Sequence, residues 1–230
     1  MLIMHKSDYN GHTYFCRTEG QSNNVRKGTN EPFLQDTPII KELIEKFPEK
    51  RNTFVDIGAN IGTYSISLSR YFNKVLAYEP EPNNYNCLKL NVETNSIKNI
   101  IINNAAILNK NGYFSIENHD KSEGIHPGTY YINIDQEGNI PCRLLNDDLK
   151  ELGIKEVGFI KIDTEGSELY ILKSIQNILI NHTPIVCVEI NDCSYKNFGI
   201  PKEEILTFME TQNYKVYKIV GCNYYYIFNG

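Results

Sequence analysis

The chain has 230 residues, 41% of them hydrophobic and 22% charged, with a formal net charge of −5. That length supports one domain with a sizeable core. An acidic balance without any block of Lys and Arg argues against a nucleic-acid partner, which needs a clustered positive field. The opening "MLIMHKSDYNGHTY" has too short an apolar run for a signal peptide. No stretch approaches the ~20 apolar residues of a membrane span, so the expected location is cytoplasmic. The cysteines at 16, 87, 142, 187, 193 and 222 are scattered, with no Cys-x-x-Cys pair. Their spacing argues against a disulfide framework and against a zinc site.

Residues 1–52 read as an N-terminal extension, a candidate region for substrate binding or a lid. It opens with short strand-like pieces such as "HTYFCR". A helix follows over 38–47, with Ile39, Leu43 and Phe47 on one face and Pro48 at its end. From 53 the pattern alternates: strand "TFVDIG", a helix from Ile61 to Tyr71, strand "KVLAYEP", a helix from Pro82 to Glu93, and a third strand "NIIINNAAIL". Each strand is a nearly continuous apolar run, as expected where both faces of a sheet are covered. Residues 111–143 break the rhythm, with "GYFSIEN" and "TYYINI" forming a β insert around the polar "HDKSEGIHPG". Alternation then resumes: a short helix over Leu144–Leu152, the strand in "VGFIKIDTEG", one helix over Ser167–Ile180 and the strand "TPIVCVEIND". A helix over Pro201–Gln212 leads into "YKVYKIV" and "NYYYIFN", a closing hairpin that puts an antiparallel C-terminal strand at the sheet's edge. The predicted class is α/β, a doubly wound, mostly parallel sheet over 53–230.

In open α/β sheets the ligand sits at the carboxyl ends of the strands. The first strand offers Asp56, Gly58, Asn60 and Gly62 there, and the second Glu79. The third offers Asn103 and Asn104, the next Asp163 and Glu165, and the last Glu189, Asn191 and Asp192. A single acid at such a place is commonly a helix cap or turn residue; five successive strand ends exceed what capping explains. The spacing Gly58-Ala59-Asn60-Ile61-Gly62 is not G-x-G-x-x-G, the Walker pattern is absent, and Asp56 would repel a phosphate. S-adenosylmethionine suits these residues better, since it carries a sulfonium, an ammonium and a carboxylate but no phosphate. Asp56 then serves its cationic side, directly or through water, and Gly58, Asn60 and Gly62 form the loop around it. Glu79, 23 residues past Asp56, is placed to accept the ribose hydroxyls. Asn104 takes the adenine amino group, and Asp163 also faces the cofactor.

At this point a family resemblance becomes specific. "FVDIGANIGTYSISLSR", "VLAYEPEPNNYNCLKLN", "NNAAI", "FIKIDTEGSELYILKS" and "PIVCVEIND" resemble the FkbM family of S-adenosylmethionine-dependent methyltransferases, over about 53–217. The resemblance implies a class I Rossmann-like methyltransferase fold and O-methylation of a hydroxyl on a sugar, glycan or small metabolite. Methyl transfer to a hydroxyl is an in-line displacement that needs a base or a metal. Asp163, Glu165 and Glu189 are the candidate bases. If Mg2+ is used, Asp163 with Glu189, Asn191 or Asp192 would supply its oxygen ligands, as in the catechol-type enzymes. His119 and His126 lie in the polar loop. The alternatives are methyl transfer to a protein or RNA group, and a non-catalytic cofactor-binding protein on the same fold. The Asn/Asp-Pro-Pro-Tyr/Phe motif of nucleobase amine methylation is absent, with "KIDTEG" at its place.

Overall fold

A computed structural model of the chain describes residues 4–9, 11–27, 31–118, 130–191 and 198–230. An N-terminal hairpin, β1 (His5–Tyr9) and β2 (His12–Cys16), leads into α1 (Glu19–Lys27) and α2 (Glu31–Lys46). The expected alternation follows as β3 (Thr53–Ile57), α3 (Thr63–Leu68), β4 (Lys74–Tyr78), α4 (Pro82–Thr94) and β5 (Ile100–Asn103). β6 (Ala106–Ile107) precedes the insert, which contains β7 (Gly112–Asn118), β8 (Tyr130–Glu137) and β9 (Ile140–Arg143). The chain then runs through α5 (Leu145–Glu151), β10 (Phe159–Ile162), α6 (Glu168–Ser174), α7 (Gln176–His182), β11 (Ile185–Glu189), α8 (Lys202–Thr211), β12 (Tyr214–Val220) and β13 (Asn223–Phe228).

Among the described residues the main sheet has seven strands in the order β12-β13-β11-β10-β3-β4-β5. Its central pairs β11–β10, β10–β3, β3–β4 and β4–β5 are parallel. β13 runs antiparallel to both β11 and β12, one place in from the edge that β12 forms. Because side chains alternate along a strand, Val55, Ile57, Ile160, Ile162, Val186 and Val188 face one layer. Leu172, Ile175 and Leu179 pack there, with Ile205 and Met209 of α8. Phe54, Phe159, Ile185 and Cys187 face the other layer, covered by Ile39, Ile40, Leu43 and Ile44 of α2.

Three elements differ from the sequence expectation. The run "NIIINNAAIL" is two strands, because Asn104 turns the chain by donating to the Glu79 and Pro80 carbonyls (2.8 and 3.1 Å). Ala106 and Ile107 then join β9 in a separate four-stranded sheet. The helix over 167–180 is broken into α6 and α7, where the Ser174 hydroxyl bonds back to the Ile171 carbonyl (2.7 Å) and competes with the helical backbone. α2 starts at Glu31, earlier than expected, and contains Pro38. The lost helical bond is offset by the four apolar residues that follow and bury against the sheet.

The N-terminal hairpin is docked by two asparagines four residues apart, Asn91 on α4 and Asn95 at its C-terminal cap. Asn95 bonds both the N–H and the carbonyl of Thr13 (2.9 and 2.7 Å). Asn91 bonds both groups of Phe15 (2.6 and 3.1 Å) and also the carbonyl of Ile61 (2.9 Å). Asn91 is fully buried, so Asn91→Ala strands three backbone groups. It should lower unfolding stability by about 2–4 kcal/mol and speed amide exchange at Phe15. An unchanged urea midpoint would contradict this reading of the docking.

Candidate active site

The order of the main sheet reverses between β3 and β10, so the crevice at their carboxyl ends is the topological switch point. The two chains are in close contact there. Asp163 N–H donates to the Ile57 carbonyl (3.0 Å). A Cβ placed on Gly58 would lie 1.7 Å from the Asp163 carbonyl oxygen, and one on Gly62 2.5 Å from Leu88 Cδ1. The loop is tightly wound, with Gly58, Asn60 and Gly62 all at positive φ (84°, 51° and 89°), conformations open to Gly and tolerated by Asn. The glycines are therefore required first by the protein's own packing, where the sequence assigned them to ligand approach. Four loop amides are committed internally: Gly58 and Ala59 to the Tyr78 carbonyl, Asn60 to Glu79, and Gly62 to the Ala59 carbonyl.

Asp56 is 1% exposed and accepts from the Ser65 hydroxyl of α3 (2.5 Å). Burial pushes its carboxyl up, and the neighbouring Lys161 charge opposes that. At this depth it anchors the loop to α3. Glu79 ties the loop to the next turn. Its two oxygens accept from the amides of Asn60 (2.8 Å) and Glu81 (2.9 Å). Burial pushes Glu79 up to about 7, against these two bonds, which favour the anion. Asn104 commits its side-chain NH2 group inward, to the Glu79 and Pro80 carbonyls. The N-terminal unit reaches the same wall. Gln21 donates to Asn60 (3.3 Å), and the buried Arg17 pairs with Glu81 (2.7 Å) and lies 5.7 Å from the Tyr130 ring.

β10 and β11 bring Asp163, Glu165 and Glu189 together, each half-buried, with ligand atoms all within 4.8 Å of one another. Glu165 sits in the left-handed region (φ 58°). The loop that holds it is pinned by Glu168, one of whose oxygens accepts from Thr164 N–H (2.9 Å), Thr164 Oγ1 (3.0 Å) and Gly166 N–H (3.1 Å). Glu189 is pushed up to about 10, first by the Asp163 charge and then by burial. It therefore holds a proton at neutral pH and bonds to Asp163. Burial would raise Asp163 too, but Lys161 holds it below its ordinary value. Lys161 lies on β10 in register with Asp56 and Cys187. It is 2% exposed, with Nζ 2.5 Å from Asp163 Oδ2 and 4.5 Å from the centre of the Tyr64 ring.

Lys161, Glu168 and Arg17 are site residues that the sequence reading passed over. A lysine inside the apolar run "FIKI" was the available signal for the first. Asn191 follows β11, half-buried. His119, His126 and Asp192 lie outside the described residues. As an Mg2+ site the donor set is already partly engaged, since one Asp163 oxygen is held by the Lys161 ammonium. Among the described residues no helix is long and apolar enough to cross a membrane.

Residues 56–216 match the FkbM methyltransferase domain. The chain is 30% identical over 155 residues to the hexuronic acid methyltransferase AglP of Haloferax volcanii, which covers 66% of this chain and 61% of that protein. A stretch of 79 residues is 35% identical to a tRNA/tmRNA (uracil-C(5))-methyltransferase of Campylobacter lari, covering 31% of this chain and 22% of that one. The fold is similar to the crystal structure of an FkbM methyltransferase from Methylobacillus flagellatus (TM-score 0.54, 18% identity, 78% of this chain and 44% of that chain). The chain thus spans about six tenths of AglP and under half of the crystallised protein. With an RNA methyltransferase among the similar proteins, the comparisons do not support the expectation against a nucleic-acid partner.

The strained conformation of Glu165 yields a test of what the loop is for. A non-glycine residue in the left-handed region costs roughly 1–2 kcal/mol, and Glu165 also adds a like charge beside Asp163. Glu165→Gly should therefore raise the melting temperature, by about 2–4 °C for each kcal/mol relieved, while removing a site carboxylate. A lower melting temperature would show that the Glu165 side chain stabilises the fold.

Proposed function

The chain belongs to the FkbM methyltransferase family, and from that premise we propose that it is an S-adenosylmethionine-dependent O-methyltransferase acting on a hydroxyl of a sugar, a glycan or a small metabolite. The observation that carries the proposal is the three carboxylates gathered beside the cofactor loop, Asp163, Glu165 and Glu189. A hydroxyl is a poor nucleophile, and its proton must leave as the new bond forms. The hexuronic acid methyltransferase relative supports a carbohydrate acceptor.

When bound, the cofactor supplies an electrophilic methyl carbon: the acceptor oxygen bonds to it as the carbon–sulfur bond breaks, leaving a neutral thioether. Glu79 would accept the two ribose hydroxyls on lone pairs beyond those used by Asn60 and Glu81. Asn104 would offer Oδ1 to the adenine amino group, and Asp56 keeps the loop wound. Glu189 has the highest proton affinity of the carboxylates at the site; a cation beside it would favour its ionised form, and in that form it would be the base that takes the hydroxyl proton. Asp163 orients Glu189 through their shared hydrogen bond. The second reading, transfer to an RNA group, is favoured by the 79-residue similarity to the tRNA/tmRNA enzyme.

Glu79 gives a pH signature. Its raised value means that the free protein favours the protonated carboxyl; that contribution to stability is complete below the ordinary carboxylate range and is lost as pH rises through about 7. Ribose hydroxyls donate to the anion. S-Adenosylhomocysteine should therefore bind more tightly as pH rises towards 7, by up to about tenfold per unit, and level off above it. Glu79→Gln should abolish the slope, and Glu79→Ala should cost about 1–3 kcal/mol of affinity. Calorimetry showing pH-independent binding to the wild type would reject the role.

A screen of glycans, hydroxylated metabolites and RNA with labelled methyl donor tests the acceptor class. Label is expected on a sugar or metabolite hydroxyl; label on RNA would replace that reading with the second one. With the acceptor found, Glu189→Gln should lower the rate by roughly 10²–10⁴ while S-adenosylhomocysteine affinity stays unchanged. A fully active variant would assign the base elsewhere.

A further inference from the structure

The carboxylates Asp163, Glu165 and Glu189 converge on one point, the kind of oxygen cluster that holds a hard cation. The same cluster already touches a cation that belongs to the chain. Lysine is almost never fully buried unless paired, yet Lys161 is 2% exposed in the middle of a parallel sheet. Its surroundings account for the charge from every side. Asp163 pairs with it above, Asp56 is its neighbour on β3, Cys187 on β11, and the Tyr64 face from α3 lies beneath. Tyr64 is fixed in turn by donating to Asp36 of α2 (2.5 Å), which also accepts from Asn223 of β13 (2.7 Å). Five elements thus surround the ammonium held against Asp163 Oδ2.

We infer that Lys161 is the resident cation of this cluster, a positioning residue that fixes the Asp163 carboxylate and takes the place of a divalent ion. The inference rests on the reading of these carboxylates as the methyl-transfer site only for its meaning; the charge balance itself is independent of any acceptor. One ammonium relieves the repulsion among the carboxylates yet leaves the cluster net negative, which suits a site that receives a sulfonium. Metal-free methyl transfer follows from it.

Mn2+ binding to the wild-type protein, followed by loss of the free-ion signal in electron paramagnetic resonance, decides the case without donor or acceptor. The wild type is expected to bind no Mn2+ at submillimolar concentrations. Lys161→Met uncovers the acids and should gain at least about tenfold in Mn2+ affinity, as an uncompensated charge cluster attracts a counter-ion. Lys161→Arg keeps the charge and should bind no more Mn2+ than the wild type. If Lys161→Met fails to fold, the wild type alone settles it. Submillimolar Mn2+ binding that Asp163→Asn removes would overturn the inference, as would equal affinity in the wild type and a folded Lys161→Met. Failure of the cofactor reading would instead appear as absent S-adenosylhomocysteine binding, a separate measurement.

Discussion

Lys161 carries its ammonium inside the sheet, against Asp163 and over the ring of Tyr64, and burying that charge dictates much of what surrounds it. A buried ion is costly unless it is paired and hydrogen-bonded. The pairing with Asp163 fixes where the β10 carboxylate points. It keeps Asp163 ionised against burial, and that negative charge in turn makes Glu189 hold its proton. Asp56, buried one strand away, faces the same ammonium. The protonation pattern of the carboxylates thus follows from one lysine in an apolar strand.

The second constraint is steric. β3 and β10 leave the sheet side by side, and the turn after β3 passes so close to the Asp163 carbonyl that position 58 admits only glycine. That contact couples the cofactor loop to the acidic strand end. Glu79 and Asn104 bind the neighbouring turns into the same unit through backbone amides and carbonyls. The residues expected to hold ligand are therefore also the residues that hold one another, which is how a site is pre-organised before a ligand arrives.

Much of this was legible in the chain itself. Strand–helix alternation with continuous apolar runs is a strong signal, and the strands at "TFVDIG", "KVLAYEP" and "PIVCVEI" fell where expected. The strand-end rule puts Asp163, Glu165 and Glu189 at the carboxyl ends of adjacent strands, where the fold brings them together. What escaped the sequence depended on long-range partners. The docking of β2 on α4 is written in Asn91 and Asn95, ordinary helix residues until Thr13 and Phe15 lie against them. The break at Ser174 turns on one hydroxyl bonding back. Lys161 was visible as an oddity in "FIKI", but its role needed the carboxylates and the ring around it. The close approach of Gly58 to the Asp163 carbonyl and of Gly62 to Leu88 likewise depends on partners distant in sequence.

The most direct test is a crystal structure of the protein with S-adenosylhomocysteine. Both ribose hydroxyls should lie within hydrogen-bond distance of Glu79, with the sulfur opening towards Asp163 and Glu189 and the Lys161–Asp163 pair intact. Ligand bound away from Glu79, or Lys161 displaced from Asp163 by a metal ion, would contradict it.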